Sequence, residues 1–148
     1  ESALNFLPYG CLVDEFQHAV YADPSLSPAQ RKAVWRDLEK KYRPWMDFAG
    51  LEFFEAGGGY QRQHHIYSFP FYYIDYCLAQ TVALEFWSLA NREKEQAFAR
   101  YFAFLQHSGD HTFLELVQEA GLQSPFTEGC LKELSREVME TLEKSPVK

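Results

Sequence analysis

Cysteine is scarce in this chain. Cys11, Cys77 and Cys130 stand far apart and show no Cys-x-x-Cys spacing. That excludes a disulfide framework and points to buried thiols in a reducing, cytoplasmic compartment. Basic charge is short as well: 14 Lys and Arg face 21 Asp and Glu, for a net charge of −7. A nucleic-acid partner asks for a basic face, so none is expected. No apolar run reads as a membrane span. Residues 71–90 come nearest, and Asp75, Gln80, Thr81 and Glu85 break them. No basic-then-apolar leader opens the chain, which begins at Glu1 rather than methionine, as a piece of a longer protein would. Sustained strand alternation, internal repeats and low-complexity tracts are also missing. What remains is one all-α domain over residues 1–148, a multi-helix bundle with a core rich in aromatics.

The histidines form no helical metal motif. There are five, His18, His64, His65, His107 and His111, and no His-Glu-x-x-His. His107 and His111 are four apart, but Ser108 occupies the place of the glutamate and Gly109 lies between them. His64 and His65 are neighbours in sequence, so their side chains point apart and make a poor metal pair alone. A site built from them and Asp75 is poor geometry for tetrahedral zinc. No metal ligand is assigned in this chain. Gly57, Gly58 and Gly59 lack the Gly-x-x-x-x-Gly-Lys-Ser pattern, so phosphate binding is not expected either.

The most informative stretch is 57–87, GGGYQRQHHIYSFPFYYIDYCLAQTVALEFW. A glycine loop leads into the two histidines. Pro70 suits a first helical turn, where its missing N–H costs nothing. The pattern then predicts a central helix over 71–90, apolar except for a narrow stripe at Thr81, Glu85 and Ser88. Asp75 falls off that stripe and is expected to need a buried partner. Tyr72 and Tyr76 are i, i+4, and Tyr73 and Tyr76 are i, i+3, so the three share one side of the helix. Phenols are neutral donors near pH 7 and can hold a peptide carbonyl or a developing oxyanion. The same spacing also suits core tyrosines with satisfied hydroxyls. The glycines read equally as a loop that closes over a ligand or as a simple turn.

Elsewhere the pattern is helical. A first helix covers 3–22, firm from Gly10, with Leu12, Val13, Phe16 and Val20 inward and Asp14, Glu15 and His18 wet. Ser27-Pro28-Ala29-Gln30 is a capping box opening a helix to Tyr42, with Val34, Trp35, Leu38 and Tyr42 buried and Glu39 among its solvated charges. Residues 43–60 form a loop anchored by aromatics and partly helical near 51–55. Asn91 is read as the cap of a helix over 92–106 that buries Phe98, Tyr101, Phe102 and Leu105. Thr112 and Glu115 form a second capping box, Gly121 closes that helix, and a last helix over 128–143 buries Leu131, Leu134, Val138 and Leu142.

The run HIYSFPFYYIDYCLAQTVALEFW closely resembles the C-terminal region of the oligoendopeptidase F family, zinc metallopeptidases related to thimet oligopeptidase. DEFQHAVY, SPAQRKAVWRDLEKKYRPW and GGGYQRQHHIY also resemble the family, in the expected order. The resemblance covers most of the chain and weakens after Leu122. It implies a C-terminal fragment of a zincin-like helical peptidase that hydrolyses oligopeptides. The zinc site would lie in a missing upstream half, with none bound here. By resemblance His65, with His64 as substitute, faces the substrate, and Tyr73, Tyr76 and then Tyr72 hold its backbone. Tyr76 donates to the oxyanion, and Glu15 and His18 could stand behind the metal ligands. The fragment alone is expected to be inactive, with an apolar patch near Tyr72–Tyr76 and the first helix open to self-association. The rival reading is a non-catalytic helical peptide-binding or scaffold module.

Overall fold

The computed structural model describes residues 2–144, so Glu1 and residues 145–148 lie outside it. The described chain is built from helices: α1 (Ser2–Ala22), α2 (Pro28–Tyr42), α3 (Glu52–Glu55), a 3₁₀ turn (Gly58–Arg62), α4 (His64–Ser68), α5 (Ile74–Arg92), α6 (Lys94–Gln106), α7 (Phe113–Glu119) and α8 (Cys130–Lys144). Among the described residues there is no strand, only an isolated bridge between Ser108 and His111. The fold class is all-α, as the sequence predicts. None of these helices is long and apolar enough to cross a membrane. The chain packs as two compact units, Glu1–Cys77 and Leu78–Lys148.

The first unit is organised around α1 and α2. Leu12, Val13 and Phe16 of α1 meet Trp35 and Leu38 of α2, with Tyr60 and Ile66 completing the core. Phe16 packs edge-on to Trp35, ring centroids 5.1 Å apart. The α1 helix runs straight through Pro8, well before the Gly10 start that the sequence makes firm. Gly10 itself is there for close approach: a Cβ at this position would lie 2.1 Å from Cys77 Sγ.

The capping box that opens α2 is present in both directions. Ser27 Oγ accepts from the Gln30 N–H, and Gln30 Oε1 accepts from the Ser27 N–H. Ser27→Ala leaves the Gln30 N–H without its partner and should lower stability by about 1 kcal/mol. Urea titrations of the two proteins measure this, and coincident midpoints would show that the cap is idle. The assignment of Glu39 to the wet side of α2 is corrected. Glu39 is buried and accepts from Arg43 Nε and Nη2, at 2.9 and 2.6 Å. A paired guanidinium is what lets a carboxylate be buried there.

Residues 43–51 are the expected loop, the helical piece expected near 51–55 is α3, and only the 3₁₀ turn from Gly58 was not expected. Gly57, Gly58, Gly59 and Tyr60 are all buried. A Cβ on Gly58 would meet the Phe53 carbonyl at 2.6 Å, and one on Gly59 the Trp35 indole nitrogen at 2.6 Å. The glycines serve close packing, so neither a closing loop nor a plain surface turn describes them.

In the second unit Val82 and Phe86 of α5 pack with Val117 and Ala120. The predicted capping box at Thr112 and Glu115 is present, and Gly121 follows α7 at φ 65°. Three expectations fail here. Asn91 lies inside α5 and donates to the Trp87 carbonyl, while Glu93 precedes α6. The α6 stripe of Phe98, Tyr101, Phe102 and Leu105 is exposed, Phe98 to 70%, and the helix instead buries Ala97. On α8, Leu134 and Val138 are buried but Leu131 and Leu142 are exposed. A stripe of period 3.6 marks a face that packs on something. Among the described residues Tyr101 meets the Phe86 ring edge-on at 5.3 Å, but most of the α6 face is left uncovered, so the expected burial is not found.

Candidate functional site

The chain reaches the tyrosines through a turn. α5 starts at Ile74, so Pro70 does not open a helix and Phe71, Tyr72 and Tyr73 precede it. Phe71 sits at φ 63°, a conformation that costs a non-glycine residue about 1–3 kcal/mol. Gln17 offsets the cost. This glutamine is almost fully buried in α1 and accepts from the Phe71 N–H at 2.8 Å, while its own amide donates to the Val13 carbonyl. The Phe71 ring lies against His18 and Tyr21, 4.9 and 5.0 Å away. The sequence reading missed Gln17. Its signal was an amide set within the apolar stripe Leu12, Val13, Phe16 and Val20.

Asp75 is exposed, which corrects the expected buried partner. It stands in the first turn of α5, where a carboxylate is favoured by the helix dipole and by unpaired N–H groups. The stripe-forming Thr81 and Ser88 are the buried ones. Ser88 donates to Glu137 Oε2 at 2.7 Å.

The five candidate side chains divide into two groups. Tyr72 and Tyr76 are half-exposed, at 50% and 48%. Their hydroxyls are 3.4 Å apart and their rings meet edge-on at 5.4 Å. The hydrogen bond to Tyr76 is the main cause that raises the Tyr72 phenol above its ordinary value. Tyr67 and Phe69 are exposed too, at 60% and 63%. His64 is exposed and shares a hydrogen bond with Ser68 Oγ at 3.1 Å.

His65 and Tyr73 turn inward. Their rings stack at 3.9 Å, 7° from parallel, and Tyr73 packs edge-on against Phe6 and Tyr9. Burial raises the Tyr73 phenol and raises that of Tyr9 further. Two buried polar atoms, His65 Nε2 and Tyr9 Oη, have no hydrogen-bond partner among the described residues. Both histidines lie in α4, not in a flexible segment. The neighbouring histidines therefore point apart, as the sequence predicts, and Asp75 joins neither of them in a cluster of potential metal ligands among the described residues.

Burial, and then the charge of His64, lower the His65 imidazole below its ordinary 6.5. The folded state thus binds the proton less readily than the unfolded state. The neutral ring contributes full stability above about pH 6.5, and that contribution is lost as pH falls through the lower folded value. A proton NMR titration should place the His65 midpoint below 6.5. A midpoint at or above it would contradict the stacked, desolvated geometry.

The chain can be compared with known proteins at this point. No protein-family model matches it, and no curated protein does. Solved structures do. A protein assigned as oligoendopeptidase F, determined at 3.1 Å, is 48% identical over 98% of this chain, with a TM-score of 0.90. PZ peptidase A, solved with an inhibitor, is 44% identical over the same share, also at 0.90. An oligoendopeptidase F of Bacillus anthracis str. Ames is 43% identical over 98%, at 0.74. The chain belongs to the oligoendopeptidase F family. It spans only 26%, 26% and 22% of those three chains.

Proposed function

We propose that this chain is the C-terminal, substrate-side part of a cytoplasmic zinc metalloendopeptidase that hydrolyses oligopeptides. The observation that carries the reading is the Tyr72–Tyr76 pair. Two phenols stand together at the surface, beside exposed aromatics, in a chain 44–48% identical to peptidases about four times as long.

Zinc is implied by the family and would be held by the missing upstream half. The residues around the tyrosines do not fit as its ligands: His64 is committed to Ser68 at the surface, while His65 is stacked on Tyr73. The attacking water and its activation therefore lie outside this chain. What the chain supplies is hydrogen-bond donors. Tyr76 Oη, at the first turn of α5 and half-exposed, donates to the carbonyl oxygen as charge builds on it. Tyr72 Oη, in hydrogen-bond reach of Tyr76 Oη, orients that phenol or donates to a neighbouring peptide carbonyl. Tyr73 and His65 act from behind as a packed, neutral platform that sets the position of Tyr76. His65 reaches a peptide only if its stacked ring turns outward, and His64 is the histidine already at the surface. The exposed aromatic surface is where the upstream half docks, and in its absence a second copy can cover it.

The test is the coding sequence upstream of Glu1, together with peptidase assays of the 148-residue chain. An in-frame His-Glu-x-x-His with a later glutamate, and no chelator-sensitive turnover by the chain alone, is the expected result. An upstream motif with its ligands replaced would leave a peptide-binding or scaffold module. Turnover by the isolated chain, with contaminating protease excluded, would overturn the division of labour.

A further inference from the structure

The one i, i+4 histidine pair of the sequence is not on a helix, yet the second unit brings it together with a carboxylate. His107 follows α6, and His111 stands just before the cap of α7. Their rings are stacked 5.0 Å apart and 3° from parallel. Glu119, the last residue of α7, reaches back to accept from or pair with His111 Nδ1 at 3.0 Å. One ligand atom from each of the three residues lies within 4.8 Å of the others.

The loop that carries the pair is tied down. The amides of Asp110 and His111 donate to the His107 carbonyl at 3.1 and 3.3 Å, and the Ser108 hydroxyl donates to the Phe104 carbonyl. Gly109 makes the turn at φ 101°, with open space beyond it. The Thr112–Glu115 capping box then fixes the next helix. Backbone hydrogen bonds thus fix the positions from which the two imidazoles project side by side. The surroundings also suit a cation. Asp110, next to His111 in sequence, and Glu115, whose carboxylate accepts from the Thr112 amide and hydroxyl, add negative charge.

We propose that His107, His111 and Glu119 form a surface site for one divalent transition-metal ion of the zinc type. Two imidazoles and a carboxylate are an established donor set for zinc with one position left to water. Imidazole ligands favour such ions over magnesium and calcium, which take oxygen. Ligands at about 2.0–2.1 Å around a tetrahedral ion lie about 3.3 Å from one another, so atoms now within 4.8 Å need to close by up to about 1.5 Å. His111 and Glu119 are already that close. The site lies in the second unit and does not depend on the tyrosine surface.

Calorimetric titration of the 148-residue chain with zinc chloride tests the proposal. One ion per chain is expected, with a rise in the melting temperature because the metal binds only the folded site. His107→Gln and Glu119→Gln should each weaken binding by about 100-fold or more, beyond the roughly 10–100-fold scale of losing an outer partner. His64→Ala should leave it unchanged. Magnesium chloride at the same concentration should give no binding. Circular dichroism of the variants keeps a folding defect from passing as a lost ligand, and cobalt(II) provides a second readout. Its visible absorption should appear with the native chain and change in Glu119→Gln. No zinc binding, binding untouched by His107→Gln in a folded protein, or binding lost in His64→Ala would each overturn the site.

Discussion

Tyr76→Phe, made in the full-length peptidase, is expected to lower kcat by about 10²–10³, the scale for losing one oxyanion donor. The substitution deletes a single oxygen from a half-exposed ring whose hydrogen-bond partner is Tyr72 Oη. The ring contacts with Tyr72 and Tyr73 stay, so folding should not change. A donor that acts only on developing charge lowers kcat and kcat/KM together and leaves KM alone. Tyr72→Phe provides the comparison. It removes the partner that orients Tyr76 but not the donor itself, so a smaller loss is expected. Steady-state kinetics of the two variants decide the matter. An unchanged kcat in well-folded Tyr76→Phe would remove this residue from the chemistry, and a larger loss in Tyr72→Phe would exchange the two roles.

The second large effect is structural. Gly57→Ala should destabilise the first unit by about 3 kcal/mol, from two sources that can be separated. Gly57 has φ 80°, which costs a residue with a Cβ about 1–2 kcal/mol. The added Cβ would also lie 2.0 Å from the Lys32 carbonyl oxygen and 2.8 Å from its carbon. These are backbone atoms of α2 that cannot swing aside, and such overpacking costs about 1–3 kcal/mol. Gly50 has the same φ of 80° and nothing within 4 Å of its would-be Cβ. Gly50→Ala therefore isolates the backbone cost and should lose only about 1 kcal/mol. Thermal unfolding should show a drop of about 10 °C for Gly57→Ala, at about 2–4 °C per kcal/mol for a chain of this size. Equal losses in the two variants would mean that α2 moves away freely, and that the glycine run is a turn rather than a packing device.

Much of this protein was legible in its sequence. The two capping boxes are local chemistry, in which a side chain three residues from an amide decides where a helix starts, and both are found where they were read. The inward residues of α1 and α2 follow from period 3.6 and a short connection. The tyrosine cluster was legible as three phenols that meet, and the family as a set of motifs in order. The start of α5 was not legible. It depends on the Phe71 amide finding Gln17, which lies 54 residues earlier, and no local pattern encodes such a bond. The division of the site into a surface pair, Tyr72 and Tyr76, and a stacked pair, His65 and Tyr73, follows from that turn.

The apolar stripes show the same limit from the other side. Phe98, Tyr101, Phe102 and Leu105 keep the spacing of a buried face and are exposed in this chain, because periodicity states that a face packs but not against what. Glu39 reads as wet from its charge, and only the guanidinium of Arg43 makes its burial affordable. His107 and His111 looked broken apart by Gly109. Folding the chain back through that glycine is what sets their rings side by side, with Glu119 in reach. The two capping boxes and most helix spans were therefore set by short-range chemistry that the sequence carries by itself. The partners of Phe71 and His111 were decided by the tertiary structure, because each lies across a turn or on another helix where only the packed backbone fixes the distance, and so was the burial of Glu39, although its partner Arg43 is only four residues away.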